Sequence, residues 1–368
     1  MGDAVEDISK ARFVATEPIN FLTLAVQGAL ATLRTFYVQE RIAQNYNYSI
    51  NHHLNGTCSD ENNTDPLYKL IQSETSFWNM WLATLSTFLP VITATFLIAA
   101  SSFIGRKPIL VVSALGHLIA SGIFFLVALF ELPIFISLFA AFVLGLCGDT
   151  DAVEVVSAAY IADSSVGKSR TQRMVVLTLM DSAGWGCGQV LGGLILGYSN
   201  NFPVSFAVPT ILAAINVAYT TFPGLVLETV PNCKTIQAGS ILKETLDSLA
   251  GFYTRFEKSR RTKALILITI ICLMRFVNEG IFEVIVIYGL GKPFCWTATF
   301  VGFFNASVAL IPAAGAAFAM LAVAHSLWAC CSFLFVEGQF AYTVRIGMAP
   351  VTFYVSAAIL VIPIILNG

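Results

Sequence analysis

Long apolar runs separated by short polar segments are the main pattern along the chain. A helix needs about 20 mainly apolar residues to cross the hydrocarbon core of a bilayer. This rule predicts spans near residues 18–38, 78–101, 109–130, 133–156, 173–198, 203–227, 264–290 and 347–366. The uncharged stretch from Thr297 to Val336 predicts either two spans of bare length or one span preceded by a broken half. The pattern therefore indicates an all-α membrane helix bundle of about nine or ten helices.

The composition agrees with this pattern and excludes several classes of protein. Hydrophobic residues make up 57% of the chain, charged residues only 11%, and the mean hydropathy is +0.77, whereas a soluble domain has about 25% charged residues. The eight cysteines lack the spacing of a metal site, and residues 1–16 lack the apolar core of a signal peptide. We therefore expect no enzyme activity, no cofactor, no metal and no nucleic-acid partner.

The distribution of Lys and Arg predicts the orientation of the bundle. Basic residues concentrate in the segments that lie on the same side as the N-terminus, and the outer loops hold only Arg41, Lys69 and Lys292. Because cytoplasmic loops carry the excess of positive charge, the N-terminus is expected in the cytosol. The predicted organisation is a cytosolic N-terminus (1–16), a six-helix bundle (17–227), a cytosolic central loop (228–263) and a shortened C-terminal bundle (264–368).

Glycosylation motifs test this orientation independently. Asn47, Asn55 and Asn62 each begin an Asn-X-Ser/Thr sequon in the first outer loop, residues 39–77. All three agree with a cytosolic N-terminus, although an Asn-rich loop also produces sequons by chance. The fourth match, at Asn305, lies in an apolar segment and is expected to remain unmodified.

Carboxylates inside two predicted spans give the first functional signal. Asp149, Asp151 and Glu154 share one apolar segment between Leu144 and Gly193, and Asp181 lies in the next. Ionisable groups are costly in a bilayer, so they usually face a bundle interior or an aqueous cavity as part of an ion or substrate path. This stretch is therefore predicted to be the working part of a transporter.

The seventh span carries a second set of charges. Arg275, Glu279 and Glu283 are spaced four apart and share one helix face. They predict a proton or ion path centred on Glu283, or else an internal salt bridge that only orients the helix. Arg34, near the outer end of the first span, either reaches the interface or binds an anionic substrate. His117 is a lone histidine in an apolar helix and is expected to be a core residue.

The turn from Ser101 to Pro108 resembles a motif of the major facilitator superfamily, G-x-x-x-D-x-x-G-R-[KR]. Gly105, Arg106 and Lys107 match its end, and Gly105 permits a tight turn. Ser102 occupies the place of the acid, which removes a charge partner for Arg106. The resemblance implies that this turn forms an inner-gate loop.

Three further segments are informative together: the run from Gly148 to Met174, the loop Pro293-Phe294-Cys295-Trp296 and the opening Thr16-Glu17-Pro18. Their combination, in this order, resembles solute carrier family 46, the group that includes the proton-coupled folate transporter.

The resemblance assigns a substrate or proton role to Asp149 and a disulfide to Cys58 and Cys295. From the loop positions alone, these two cysteines either pair or remain free thiols. Two positions depart from the family. Its proton-coupling acid falls on Thr178, with Asp181 three residues later, and its seventh-span histidine falls on Asn278.

The C-terminal half is short for this family, whose members have two six-helix halves. The resemblance implies that the end of the eighth span and all of the ninth and tenth are absent, with the join near residues 312–315. One hypothesis is a proton-driven symporter of an organic anion or folate-like solute, in the plasma or an endolysosomal membrane. The alternative is a truncated, non-transporting membrane protein that is regulatory or binds a partner.

Overall fold

The computed structural model describes residues 15–48, 66–229, 262, 285–290 and 294–317. Within these ranges every regular element is helical and no strand occurs, in agreement with the predicted all-α class. The helices are α1 Glu17–Asn45, α2 Pro66–Ile104, α3 Arg106–Leu129, α4 Ile136–Leu146, α5 Asp149–Ser164, α6 Lys168–Ser199, α7 Phe202–Thr221 and α8 Ala298–Ala317.

All eight helices belong to one compact unit, which comprises Met1–Ser248 and Ile287–Ala317. A second unit, Leu249–Val286 with Phe318–Gly368, lies almost wholly outside the described residues. The predicted spans 264–290 and 347–366 fall mainly or entirely there. The predicted domain boundaries and the missing helices near residues 312–315 therefore stay predictions.

Most of the predicted spans coincide with helices that suit a bilayer. The segments with enough length and apolarity to cross are α1, α2 from Leu67, α3, α4 with α5, and α7. Large apolar side chains on their outer faces are exposed, as lipid contact requires, including Phe77, Phe88, Val91, Phe139 and Ile211. The helix α6 matches the predicted span 173–198, but it is not among these five apolar segments.

The helix ends follow from local sequence. Pro18 is the second residue of α1, and its ring fixes the backbone angle that a first helical turn needs. Asn200 ends α6 in the left-handed conformation, and the Asn201 side chain accepts a hydrogen bond from the Val204 amide at the start of α7. Two successive asparagines thus turn the chain between these helices.

The fourth predicted span, 133–156, is not one continuous helix. α4 ends at Leu146 and α5 begins at Asp149, with Gly148 at φ 81° and Asp149 at φ 45°. The Thr93 hydroxyl donates to the Gly145 carbonyl oxygen at 2.5 Å, and the Ser113 hydroxyl donates to that of Cys147 at 2.9 Å. These bonds satisfy carbonyl groups next to the break, which an apolar environment would otherwise leave unpaired.

Helix α6 packs between α1 and α8 through two rows of glycine. Gly184, Gly188 and Gly192 face backbone atoms of Phe21, Ala25 and Ala29 on α1. Gly193 and Gly197 face Ala298 and Thr299 on α8. Small residues let helix backbones approach closely, which is the usual basis of tight helix association in membranes.

Candidate functional site

We call the end of the bundle at which α1 begins the proximal end and the opposite end the distal end. The predicted orientation places the proximal end in the cytosol, and this remains a prediction. Polar contacts occur at three levels of the described unit: the proximal end, the interior and the distal end.

Asp181 is held in the interior by a polar network that joins three helices. Its Oδ1 accepts a hydrogen bond from Asn20 Nδ2 at 2.8 Å, and Ser157 Oγ donates to Asn20 Oδ1 at 2.6 Å. Asn20 and Ser157 are fully buried, while Asp181 is partly buried. Since the bonded partner of the carboxylate is an uncharged amide, this acid is stabilised by a dipole.

Gln189 forms a second polar junction, which joins α1, α6 and α8. Its Oε1 accepts from the Thr32 hydroxyl and, at 3.2 Å, from Asn305 Nδ2. Asn305 is buried and its amide nitrogen is engaged in this bond. The buried position agrees with the expectation that this sequon carries no glycan.

Asp149 lies at the break between α4 and α5, next to a histidine that the sequence interpretation had assigned to the core. His117 Nε2 is 3.3 Å from Asp149 Oδ1, and His117 Nδ1 is 2.9 Å from the Ser113 carbonyl oxygen. His117 is fully buried and Asp149 is 7% exposed. The Thr150 amide also donates to Asp149 Oδ1 at 2.8 Å, as expected for an acid in the first turn of a helix.

The predicted inner-gate loop lies at the proximal end and has more charge partners than expected. Arg106 Nε contacts Asp163 Oδ2 at 3.1 Å, so the loss of an acid at Ser102 leaves Arg106 paired. The Glu228 carboxylate accepts from the amides of Arg106 and Lys107 at 2.8 and 3.1 Å. Gly105 has φ 112°, and a side chain there would occupy the space of that carboxylate.

A buried ion pair also joins helices at the proximal end. Arg173 Nε is 3.1 Å from Glu17 Oε1, and both side chains are less than 5% exposed. Arg173 Nη1 also donates to Ser164 Oγ at 3.0 Å. Arg173, in the basic stretch that begins α6, thus joins that helix to α1 and α5.

Some of the remaining predicted site residues lie within the described ranges, and the others lie outside them. Thr178 is exposed and its hydroxyl donates to the Met174 carbonyl, whereas Arg34 is partly buried on α1. Asn47 is exposed just after α1. The others lie outside the described residues: Arg275, Asn278, Glu279, Glu283, Cys58, Asn55 and Asn62. Their roles stay predictions.

At the distal end, residues 285–290 are helical and their final part is held against α2. Tyr68 Oη donates to the Leu290 carbonyl at 3.2 Å, and Gln72 Nε2 donates to that of Ile287 at 2.7 Å. These side chains satisfy backbone acceptors of this helical segment. The Trp296 amide donates to the Gly289 carbonyl at 2.8 Å, which folds the Cys295 loop back onto the same segment.

Cys295 is disulfide-bonded, and its partner lies outside the described residues. The predicted partner is Cys58. We expect peptide mapping without reductant, after glycan removal, to give one cross-linked peptide that contains both residues. Cys147 and Cys187 are free in the structure and serve as internal controls that alkylate fully once the protein is denatured. Alkylation of both Cys58 and Cys295 under these conditions would contradict the pairing.

No group of three His, Cys, Asp or Glu side chains comes together as a metal site in the described ranges. The described unit instead has two acids in its interior, Asp149 beside His117 and Asp181 bonded to Asn20. Charged contacts lie at its proximal and distal ends. Asp149 and Asp181 were predicted by their residue type and position. Their partners His117, Asn20 and Ser157 were not, because only the packing of different helices brings them together.

Comparison with known proteins agrees with this architecture. The sequence profile of the Major Facilitator Superfamily matches residues 23–368. The chain is 27% identical over 305 residues to a lysosomal proton-coupled steroid conjugate and bile acid symporter, SLC46A3, of Gallus gallus. It is 28% identical over 299 residues to a proton-coupled folate transporter of Rattus norvegicus.

Each of these alignments covers 79% of the chain, but only 64% and 62% of the two relatives. The human organic anion transporter MFSD10 (TETRAN) has the same fold, with a TM-score of 0.59 at 17% identity over 95% of this chain and 84% of that one. The resemblance to solute carrier family 46 is therefore confirmed at the level of sequence. The chain belongs to the major facilitator superfamily.

Proposed function

We propose that this membrane protein is a proton-driven symporter of an organic anion. The superfamily consists of membrane transporters, and the two relatives named above are a proton-coupled symporter of steroid conjugates and bile acids and a proton-coupled folate transporter. The observation that carries the proposal is Asp181, an acid bonded to a neutral amide among three helices of the bundle. An acid in that position binds a proton without first having to break an ion pair.

The hydrogen bonds around Asp181 would transmit its protonation to the packing of the helices. The ionised carboxylate accepts from Asn20 Nδ2. A protonated carboxyl is itself a donor, and it is satisfied if the Asn20 amide turns its oxygen toward it. That rotation would remove the acceptor that Ser157 uses now, so that proton binding rearranges contacts among α1, α5 and α6.

Basic side chains are proposed to bind the anion, and further acids are proposed to bind protons. Arg34 on α1 and Arg275 in the seventh span are the proposed anion ligands. Asp149 and Glu283 are proposed to share in proton binding with Asp181. Glu279, Asn278 and Thr178 complete the predicted path.

We expect purified protein in liposomes to accumulate labelled folate or a labelled bile acid faster at an external pH of 5.5 than at 7.4. Asp181→Asn should remove most of this difference, a loss of about tenfold or more, because an amide cannot bind the proton. Exchange of substrate without a proton gradient should remain in that variant. Glu131→Gln, which changes an exposed acid at the distal end, is the matched control and should behave as wild type.

The second candidate is a membrane protein that does not transport. It is favoured by the extent of the alignments, which span only 62–64% of the length of the two relatives. Alternating access in this superfamily uses two complete halves. Absence of substrate-dependent uptake at any pH, in protein shown to be folded, would support this candidate. Uptake restored by inserting the helices that the relatives possess would then identify the missing part.

A further inference from the structure

The break in the fourth span brings together two groups that the sequence does not pair. We propose that His117 and Asp149 form a proton-binding site that stabilises the break between α4 and α5. The inference rests on the proposed function for the use of the proton in transport. Occupancy of the site itself does not require that the chain transports anything.

The arrangement of donors and acceptors favours an added proton at this site. The Ser113 carbonyl can only accept, so His117 Nδ1, 2.9 Å away, must be the donor. In a neutral ring whose only proton is on Nδ1, Nε2 is a hydrogen-bond acceptor. It lies 3.3 Å from the Asp149 carboxylate, which is an acceptor as well. Nε2 makes no hydrogen bond with any described residue, so its contact with Asp149 is a close approach and not a formed hydrogen bond. One added proton turns this contact between two acceptors into an attraction.

Few other charged groups lie close to this pair along its own two helices. On α3 the nearest are Arg106 and Lys107, about three turns away. Within one turn of Asp149 lie only Cys147 and Asp151, and Asp151 is exposed whereas Asp149 is buried. The other titratable groups on helices packed against α3 lie further along: Glu154, Tyr160 and Asp163 on α5, Tyr219 on α7, Tyr68, Lys69 and Glu74 early in α2, and Glu17, Arg34, Tyr37, Glu40 and Arg41 on α1. Helix α6, which packs against α5, carries Lys168, Arg170, Arg173, Asp181, Cys187 and Tyr198.

The same aspartate holds the backbone of the break. Asp149 has φ 45°, a left-handed conformation that is unfavourable for a residue with a side chain. Its Oδ1 receives the Thr150 amide and faces His117, so both contacts maintain this conformation. Loss of the proton removes one of them and leaves two acceptors in contact. Breaks of this kind in transporter helices are where coupling ions bind.

Cys147 provides a reporter that does not depend on transport. It is free, partly exposed and adjacent to the break, and the exposed free Cys187 on α6 is an internal reference. Folded protein in detergent is treated with methyl methanethiosulfonate at pH 5.5 and 7.5, and the two sites are quantified by mass spectrometry. We expect the Cys147 to Cys187 rate ratio to rise at least about threefold at the higher pH, as the break opens locally.

His117→Gln and Asp149→Asn each remove the shared proton and should make the change of this ratio with pH much smaller. Cys187, which lies on a different helix, corrects for the general rise of the thiolate fraction with pH. Ser121→Ala changes another buried polar residue one turn further along α3 and should respond as wild type. If one of the two site variants is not recovered folded, the other decides.

Each result has a definite reading. A wild-type ratio that is the same at both pH values overturns the proposal, as does an undiminished response in a folded site variant. A response that is lost in the variants, together with no uptake by wild type, supports the proton site and contradicts the proposed function. Proton-driven uptake by a protein whose Cys147 to Cys187 rate ratio does not change with pH contradicts only the inference about His117 and Asp149.

Discussion

Gly188→Ala is expected to lower the stability of the protein by roughly 1–3 kcal/mol or more. An added Cβ would collide with the carbonyl oxygen of Ala25, a backbone atom that moves only if α1 and α6 separate. Gly184 and Gly192 lie in the same row, so the separation would spread along the interface. Thermal unfolding in detergent, followed by tryptophan fluorescence and size exclusion, measures the effect.

Gly186→Ala is the matched control because it makes the same change two residues earlier. Its added Cβ would lie 3.6 Å from the Ala306 carbonyl oxygen, an ordinary contact distance. Both variants gain the same helix propensity, so the difference between their unfolding temperatures reports the packing of α6 against α1. Equal unfolding temperatures for the two variants would contradict the close approach of α1 and α6.

Glu17→Gln is expected to cost about 3–5 kcal/mol, because it leaves Arg173 buried without its counter-charge. Both side chains are below 5% exposure and the charged atoms are 3.1 Å apart. A double variant, Glu17→Leu with Arg173→Met, should recover much of the loss, since no unpaired charge then remains. The measurement is again thermal unfolding in detergent.

The ion pair between Arg41 and Glu131 provides the comparison for this second prediction. Its atoms are 3.6 Å apart and the Glu131 side chain is 79% exposed. Arg41→Gln should therefore cost no more than about 1 kcal/mol. A similar loss in Arg41→Gln and Glu17→Gln would show that burial of the proximal pair does not determine its contribution.

The apolar runs predict the positions of the helices because a bilayer requires long uninterrupted hydrophobic segments. They do not predict the break at Gly148, because the predicted span 133–156 is apolar enough overall to be read as one continuous helix through the Gly148-Asp149 pair. They also miss that α2 begins at Pro66, twelve residues before the predicted start at 78. That first part of α2 is more polar, and its Tyr68 and Gln72 contact residues 287–290.

The acids of the site are predictable because a carboxylate inside an apolar run is unusual. Their partners are set by which helices become neighbours, which one sequence does not reveal. Asn20 and Asp181 are 161 positions apart, and His117 and Asp149 are on different helices. Arg106 illustrates the same limit, since its partner Asp163 is on α5 and not at the expected position in α2.

The two glycine rows of α6 also bear on how the protein is synthesised. α6 is not among the helices apolar enough to cross a membrane by composition, so it enters the lipid with less driving force than its neighbours. α1 emerges from the ribosome before α6 and can shelter one row at once. α8 begins only at Ala298, 77 residues after the end of α7 at Thr221, so the second row stays uncovered in the nascent chain until that helix is made.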